Sequence, residues 1–219
     1  MQQGLSVSKA ASALDVAKTT AFRWRHRVLQ WAQPIKALEL TGVVEADETL
    51  ILRSSKGQCT GRQSRKRGGR ASRKERGMDL IPILVARDRS GGGGLAADFL
   101  LEAVSKACLS QALESRIQRD AVLCTDGSAA MAAAAAKELR VQHEAVNLST
   151  GERVRGPWHI QNANGYHGRL KAWLARFKGV ATSYLESYLD WFRALDRASR
   201  SRLKAAPMLA LAVRIDQHH

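Results

Sequence analysis

The sequence predicts an α/β protein in which a mixed sheet is flanked by helices and preceded by a small helical segment. Three segments with strand character follow one another: "TGVVEADETLILR", "MDLIPILVARDRSGGGG" and "LAADFLLEAV". Two more, "DAVLCTDG" and "VQHEAVN", alternate with the helical segments "KACLSQALESRI" and "SAAMAAAAAKEL", and long helices are predicted from about Gln161. Consecutive strands followed by alternating strands and helices are typical of a mixed sheet with helices packed on it.

The composition limits the class of protein. A chain of 219 residues can form one sizeable core with a small appendage, and its hydrophobic content of 45% argues against wholesale disorder. The formal net charge is +15. A charge of this size favours a polyanionic partner, most often nucleic acid, although a basic protein with a solvated surface would have the same composition.

The cysteines and the apolar runs indicate the compartment. Cys59, Cys108 and Cys124 include no CxxC pair, so the sequence encodes neither a zinc ribbon nor a disulfide framework. No apolar run reaches the roughly 18–20 residues of a membrane span, and the start "MQQGLSVSKA" lacks the apolar segment of a secretory signal. We therefore expect a protein of the reducing cytoplasm without a membrane partner.

Residues 1–34 are predicted to form two short helices joined by a turn. Ser8 is placed to cap "KAASAL", Asp15 and Val16 to form the turn, and "KTTAFRWRHRVLQWA" to form the longer helix. Helical spacing on the longer helix predicts a buried stripe of Ala21, Trp24, Val28 and Trp31.

Polar side chains occupy the other faces of this longer helix, namely Lys18, Thr19, Arg23 and Arg27. The pattern is typical of a helix-turn-helix whose second helix enters a DNA major groove. A plain helical appendage with a basic surface is the alternative.

Residues 35–40 are predicted to form a connector, and residues 53–76 a basic loop between the first two strands. Ten Lys or Arg residues stand in this loop against one acid, Glu75, without apolar periodicity. A solvated loop would fit, but the net charge favours an arm that grips phosphates. Its predicted DNA contacts are Arg62, Arg65, Lys66, Arg67, Arg70, Arg73, Lys74 and Arg76.

Two carboxylates stand at positions typical of a metal site. Asp47 lies inside the apolar strand "VVEADETL", where a charge is unfavourable unless it is paired, and Asp126 ends the buried strand "AVLCTDG". Two aspartates on adjacent strands can hold Mg²⁺ through oxygen ligands. Asp126 followed by Gly could instead simply form a turn. By the period-two rule Glu45, as an accessory or surface residue, shares the face of Asp47, and Glu48 points to the opposite face.

The stretch "HIQNANGYHGRLKAWL" predicts a helix with one polar stripe. Asn164 and Lys171 are seven residues apart and lie within about 20° of the same face, with His167 between them. The opposite side carries the apolar residues Leu170, Trp173, Leu174 and Phe177. A solvated face explains Lys171 alone, but it explains the three polar residues together less well. The helix has no carboxylate, since no Asp or Glu occurs from residue 153 through 185.

Several of these motifs together resemble one family. "GVVEADETL", "LCTDG", "GPWHIQNANGYHGRLKAWLARFKGVATSYLESYLDWFRALD" and the basic loop are similar to the DDE-type transposases of bacterial insertion sequences. The closest resemblance is to the family of insertion sequence 1595, the ISXO-two-like group, over roughly Thr41 to Asp196. It implies an RNase-H-like fold and a metal-dependent DNA strand transferase.

The resemblance also implies roles for individual residues. Asp47 and Asp126 match the two acids of the family pattern, Asn164 the third position, which can be Glu or Asn, and Lys171 the lysine seven residues later. These residues would hold Mg²⁺ or Mn²⁺ through the two Asp and the Asn, more weakly than three carboxylates, with Lys171 on a DNA phosphate. His159, which starts the matching "HIQN", and His167 would orient a water molecule or DNA oxygen, or make structural hydrogen bonds.

The function implied is metal-dependent nicking at transposon ends and strand transfer into target DNA. We expect the active form to be a homo-oligomer on DNA at the bacterial nucleoid. A non-catalytic DNA-binding remnant is the alternative.

The expected division of the chain follows from these assignments. Residues 1–34 would form a partial helix-turn-helix, 35–40 a connector, 41–200 the RNase-H-like catalytic domain with the basic loop 53–76, and 201–219 a C-terminal tail or helix. Full-length relatives typically begin with a zinc-binding region, and no candidate zinc ligands stand near this N-terminus. Impaired recognition of transposon ends is therefore expected.

Overall fold

Five strands form one mixed sheet. The computed structural model describes residues 4–31, 37, 39–57, 80–90, 94–146, 151 and 154–200. The strands are β1 (Val43–Leu52), β2 (Leu80–Asp88), β3 (Ala96–Leu100), β4 (Val122–Thr125) and β5 (Gln142–Ala145), in the order β3-β2-β1-β4-β5. The pairs β1–β2 and β2–β3 are antiparallel, and β1–β4 and β4–β5 are parallel. These are the order and directions of an RNase-H-like sheet, so the expected α/β fold class is confirmed.

Helices precede, connect and follow the strands. The α-helices of the described ranges are α1 (Val7–Leu14), α2 (Lys18–Trp31), α3 (Lys106–Leu113), α4 (Ala129–Ala134), α5 (Gln161–Ala175) and α6 (Leu185–Arg200). A π-helical turn continues α4, and a 3₁₀ turn precedes α6. Within these ranges, no helix has the length and apolar character that a membrane crossing requires.

Both faces of the sheet are buried, because neighbouring side chains along a strand point to opposite sides. Leu84 and Ala86 of β2 join one apolar core with α3 and α4. Ile83 and Val85 join a second core with α5 and α6. The continuous apolar run of β2 is therefore the pattern of a central strand covered on both sides.

The helical segment is attached to the sheet domain through α2, which packs against α6. Ser6, not Ser8, caps α1 by accepting a hydrogen bond from Lys9 N, and Asp15 ends the helix at a φ of 50°. The side chain of Arg25 is buried at the α2–α6 contact. The predicted helices and turn are thus present, with the first cap two residues earlier than expected.

The predicted buried stripe of α2 is partly wrong. Ala21 is buried as expected, but Trp24 is 49% exposed and Val28 is only half-buried. The side chain of Trp31 lies outside the described residues. The inward positions are instead Ala21, Arg25 and Leu29, spaced by four residues.

The partners of Arg25 explain why a charged residue replaces an apolar one on this face. Its Nη2 donates to Leu5 O at 2.6 Å and its Nη1 to Tyr188 Oη at 3.3 Å. The guanidinium also lies 5.7 and 5.3 Å from the ring centroids of Phe177 and Trp191. A buried cation with hydrogen-bond acceptors and aromatic faces is stable, and apolar periodicity alone does not anticipate it.

Candidate active site

Two aspartates meet where the parallel pairing of β1 and β4 ends. The last paired residues are Glu45 and Cys124. Asp47 and Asp126 each follow two residues later along strands that run in the same direction, so the parallel register brings them side by side. The structure therefore brings together the two carboxylates that the sequence singled out.

Glu48 joins these aspartates, a contact that the alternation of side chains along β1 does not predict. One oxygen from each of Asp47, Glu48 and Asp126 lies within 4.8 Å of the other two. We call these three residues the acid cluster. Alternation along β1 assigned Glu48 to the opposite face. Pairing with β4 stops at Glu45, however, so no strand is paired with β1 on this edge at Glu48. The long glutamate side chain can therefore extend past the edge of β1 towards the two aspartates.

Burial and crowding disfavour the ionised forms in the acid cluster. The pKa of Asp47 is raised to about 6, first by burial and then by the Asp126 carboxylate, while Lys171 opposes the rise. The pKa of Glu48 is raised to about 7 by burial and by the carboxylates of Asp126 and Asp47. The cluster thus has an excess of negative charge that a cation would offset.

Asp126 also shapes the turn into α4. Its Oδ1 accepts a hydrogen bond from Ser128 N at 2.9 Å, and Ser128 caps α4 by accepting from Met131 N. The turn that was weighed against a site at Asp126 is therefore present. It coexists with the place of this carboxylate in the acid cluster.

Helix α5 brings His167 and Lys171 to the acid cluster. His167 is only 6% exposed, and its Nδ1 lies 3.5 Å from Asp47 Oδ2. Burial and the Lys171 ammonium lower the pKa of His167 to about 4, so the imidazole is neutral at pH 7 and this approach is not an ion pair. Lys171 itself is exposed, and so is Asn164, one turn before His167. The predicted polar stripe therefore has one buried member between two exposed ones.

The apolar side of α5 packs as its spacing indicates. Leu170, Trp173 and Phe177 are buried, and Leu174 is half-buried. Tyr166 is fully buried as well and donates to Asp98 Oδ2 of β3 at 2.5 Å. These contacts fix the rotation of the helix about its own axis.

Glu45 holds the start of α5 against β1. Its carboxylate is fully buried and accepts hydrogen bonds from Asn162 N, Asn162 Nδ2 and Ala163 N at 2.7, 2.7 and 3.2 Å. The two backbone N–H groups among these donors belong to the first helical turn, where N–H groups lack helical partners and the helix dipole favours an anion. Glu45 is therefore an anchor for α5 and not a surface residue.

Arg89, just after β2, completes this anchor. Its Nε donates to Glu45 Oε1 at 2.8 Å, and its Nη1 and Nη2 donate to Pro157 O and His159 O at 2.6 and 3.0 Å. His159 Nδ1 lies 3.2 Å from Glu45 Oε1 and accepts from Gln161 N at 3.4 Å. The contacts of His159 are thus those of a structural residue in the anchor. Sequence reasoning did not find Arg89, since a single Arg after a buried strand carries no distinguishing signal.

The predicted DNA contacts divide into two sets. Lys18, Thr19, Arg23 and Arg27 are all exposed on α2, and the last three share one helical face at four-residue spacing. The eight basic-loop residues from Arg62 to Arg76 lie outside the described residues, as does the predicted tail 201–219.

The chain is similar to a known family and to a curated protein. Residues 39–193 match the model of a family described as the ISXO2-like transposase domain. A protein of Halobacterium salinarum, named "Uncharacterized protein in transposable element ISH50", is 27% identical over 192 residues, which make up 86% of this chain and 63% of that protein. The chain thus spans less than two thirds of the length of this relative.

The chain is also similar, over part of its length, to a solved structure. It is the cryo-EM structure of a simian T-cell lymphotropic virus intasome in complex with the PP2A regulatory subunit B56 gamma. The similarity covers 73% of this chain and 50% of the other, with 14% identity and a TM-score of 0.39.

Proposed function

Because the chain belongs to the family of ISXO2-like transposases, whose model matches residues 39–193, we propose that it nicks DNA at transposon ends and joins the freed strand to target DNA, with a divalent cation as cofactor. The observation that supports this most directly is the acid cluster at the ends of β1 and β4. An acid pair at this edge of the sheet is what the family pattern assigns to catalysis.

The residues of the acid cluster fit a hard divalent cation. Their donors are all oxygens, which Mg²⁺ and Mn²⁺ prefer, and a buried oxygen of Glu48 accepts no hydrogen bond from the described residues. Asp47 and Asp126 would hold the ion, with the Asn164 amide oxygen as the neutral third ligand that the family pattern implies. A bound cation would activate the attacking oxygen and stabilise the leaving oxygen in phosphoryl transfer.

The other groups around the cluster position DNA and the carboxylates. Lys171 carries an ammonium whose charge already acts on Asp47, and it would meet a phosphate oxygen of the strand to be cut. The neutral His167, 3.5 Å from Asp47 Oδ2, restricts the orientation of that carboxylate. The Glu45–Arg89 anchor keeps α5, and with it both residues, at a fixed distance from β1.

The proposed reaction has two displacements at phosphorus. Attack by water breaks a phosphodiester bond at the transposon end and leaves a 3′ hydroxyl and a 5′ phosphate. That hydroxyl then attacks a target phosphodiester, forms one new bond and releases the 3′ hydroxyl of the target strand. Positioning and charge do most of the catalytic work in such transfers.

DNA would be held by the exposed polar face of α2 and by the basic loop, with a formal net charge of +15 favouring phosphate contacts. We further propose a homo-oligomer that pairs two transposon ends at the nucleoid. The name of the Halobacterium salinarum relative places that protein in a transposable element, which supports transposon DNA as the partner.

Cleavage and joining assays on DNA with the inverted repeats that flank the gene test the proposal. Wild-type protein should cut and join with Mg²⁺ or Mn²⁺, Asp47→Ala and Asp126→Ala should do neither while remaining folded, and the exposed-site control Glu114→Gln should match wild type. Full activity of both Asp variants would disprove the site. Salt-sensitive binding of end DNA by wild type without any cleavage would favour the DNA-binding remnant instead.

A further inference from the structure

One carboxylate oxygen of Glu48 is left without a donor by the described residues. Its Oε1 is buried and accepts no hydrogen bond within the described part of the chain. The charged groups that act on Glu48 are the carboxylates of Asp126 and Asp47, which repel it. A buried acceptor beside two carboxylates is unfavourable unless a positive group is present.

Glu45, three residues earlier on the same strand, shows what a structural carboxylate looks like in this protein. It is fully buried, but it receives hydrogen bonds from Arg89, from two backbone N–H groups and from the Asn162 amide. The fold thus supplies donors for Glu45 and supplies none for Glu48 Oε1. The contrast indicates that Glu48 Oε1 binds a group that the described part of the fold does not supply.

His167 likewise has a buried polar atom without a hydrogen-bond partner among the described residues. It is 6% exposed, presents Nδ1 to Asp47 Oδ2 at 3.5 Å, and leaves Nε2 buried without a hydrogen-bond partner among the described residues. Glu48 of β1 and His167 of α5, which both approach Asp47, thus each have one buried polar atom without a hydrogen-bond partner in the described ranges.

We propose that Glu48 is a ligand of the divalent cation, so that this chain holds its metal with three carboxylates although the helix contributes an amide. The inference rests on the proposed function. Asn164 is neutral, and two aspartates alone would leave the site with one negative charge fewer than a three-carboxylate site. Glu48, with an oxygen within 4.8 Å of oxygens of both aspartates, restores that charge from β1.

Binding of Mn²⁺ alone to the full chain, measured by calorimetry without DNA, tests the assignment separately from catalysis. The variants are Glu48→Gln, which keeps the size and removes the charge, and Glu48→Asp, which keeps the charge and shortens the reach by one methylene. Glu114→Gln, an exposed site, controls for the loss of one negative charge, and Asp47→Asn and Asp126→Asn should abolish binding. Thermal melting confirms that each variant is folded.

The dissociation constant for Mn²⁺ should rise by about tenfold or more in Glu48→Gln, because loss of a charged ligand should weaken binding at least as much as loss of a group that only supports a ligand. It should be unchanged in Glu114→Gln. Glu48→Asp should also bind more weakly than wild type. Wild-type affinity in folded Glu48→Gln, with binding abolished in the two Asp variants, would overturn the role of Glu48 and leave the metal centre intact. No Mn²⁺ binding by wild type would overturn the metal centre itself and the ligand role with it.

Discussion

Asp47 and Glu48 are single residues whose ionisation opposes folding when no cation is bound. Their raised pKa values, about 6 and about 7, mean that the folded state favours the protonated acids. Their stabilising contribution is complete at low pH and is lost as pH rises through these values. His167 acts in the opposite sense, because its pKa is lowered to about 4 and its contribution is lost as pH falls towards that value.

The first prediction separates the effect of Asp47 on stability from the opposing effect of His167. In EDTA, Asp47→Asn should gain stability relative to wild type as pH rises from 5 to 7.5, because the variant has no carboxyl to ionise. The difference in melting temperature should grow by about 2–4 °C, or about 1 kcal/mol for a chain of this length. Asp120→Asn, at an exposed position, should show no such change. An equal difference in melting temperature at both pH values would show that the fold does not raise the pKa of Asp47.

Lys171 provides the second prediction. Replacement by Gln should lower the rate of DNA cleavage by about a hundredfold, the effect of removing one stabilising group from a developing phosphate charge. Mn²⁺ binding without DNA should not weaken, because the ammonium repels the cation. Weakened metal binding together with a normal cleavage rate would assign Lys171 to the support of the carboxylates instead.

At the scale of elements, the Glu45–Arg89 anchor determines where α5 stands. Glu45→Ala leaves the Arg89 guanidinium and two backbone N–H groups without their carboxylate. Breaking a buried pair in this way should destabilise the fold by about 3 kcal/mol, which lowers the melting temperature by about 6–12 °C. Glu114→Ala is the matched control on an exposed turn. An unchanged melting temperature in Glu45→Ala would show that the anchor does not hold the helix.

The exposed polar face of α2 is predicted to contact DNA phosphates. Arg23→Ala and Arg27→Ala should each weaken binding and reduce the slope of log affinity against log salt by about 1, because one phosphate contact is lost. Arg119→Ala, an exposed Arg away from α2, controls for the loss of charge. A slope that is unchanged in both α2 variants would show that this face does not meet the phosphates.

The elements show where sequence reasoning succeeds and where it stops. All five strands were predicted, since alternation, apolar runs and turn residues are local signals. Arg25 of α2 could not be predicted to face inward, because its acceptors and aromatic neighbours come from distant segments. The same holds for Arg89, whose three acceptors lie far along the chain.

The residues of the candidate site likewise divide into those that the sequence predicts and those that it does not. Asp47 and Asp126 were predicted from their placement on strands, and the structure brings them together. Glu48 was assigned to the opposite face, because the period-two rule describes directions and not the reach of a long side chain at an edge where the neighbouring strand has ended. The roles of Asn164 and Lys171 came from the family resemblance and remain proposals.

At the scale of the whole molecule, the topology explains why a site forms at this edge. The central strand β1 is antiparallel to β2 and parallel to β4, so its pairing with β4 ends partway along it. Side chains there are half-buried, with the core of α5 and α6 on one side. Such a position partly shields the carboxylates from bulk water and leaves them partly exposed.

Metal-dependent cutting of DNA at Asp47 and Asp126 is the central proposal, and a change of metal preference tests it most directly. Asp126→Cys exchanges a hard oxygen ligand for a soft thiolate, which favours softer ions over Mg²⁺. We predict that Asp126→Cys does not cleave end DNA with Mg²⁺ and regains cleavage with Mn²⁺, whereas Asp126→Ala is inactive with both ions. Cleavage by Asp126→Cys at the wild-type rate with Mg²⁺, or equal rescue of both variants by Mn²⁺, would contradict the claim that Asp126 is a metal ligand of the cutting centre.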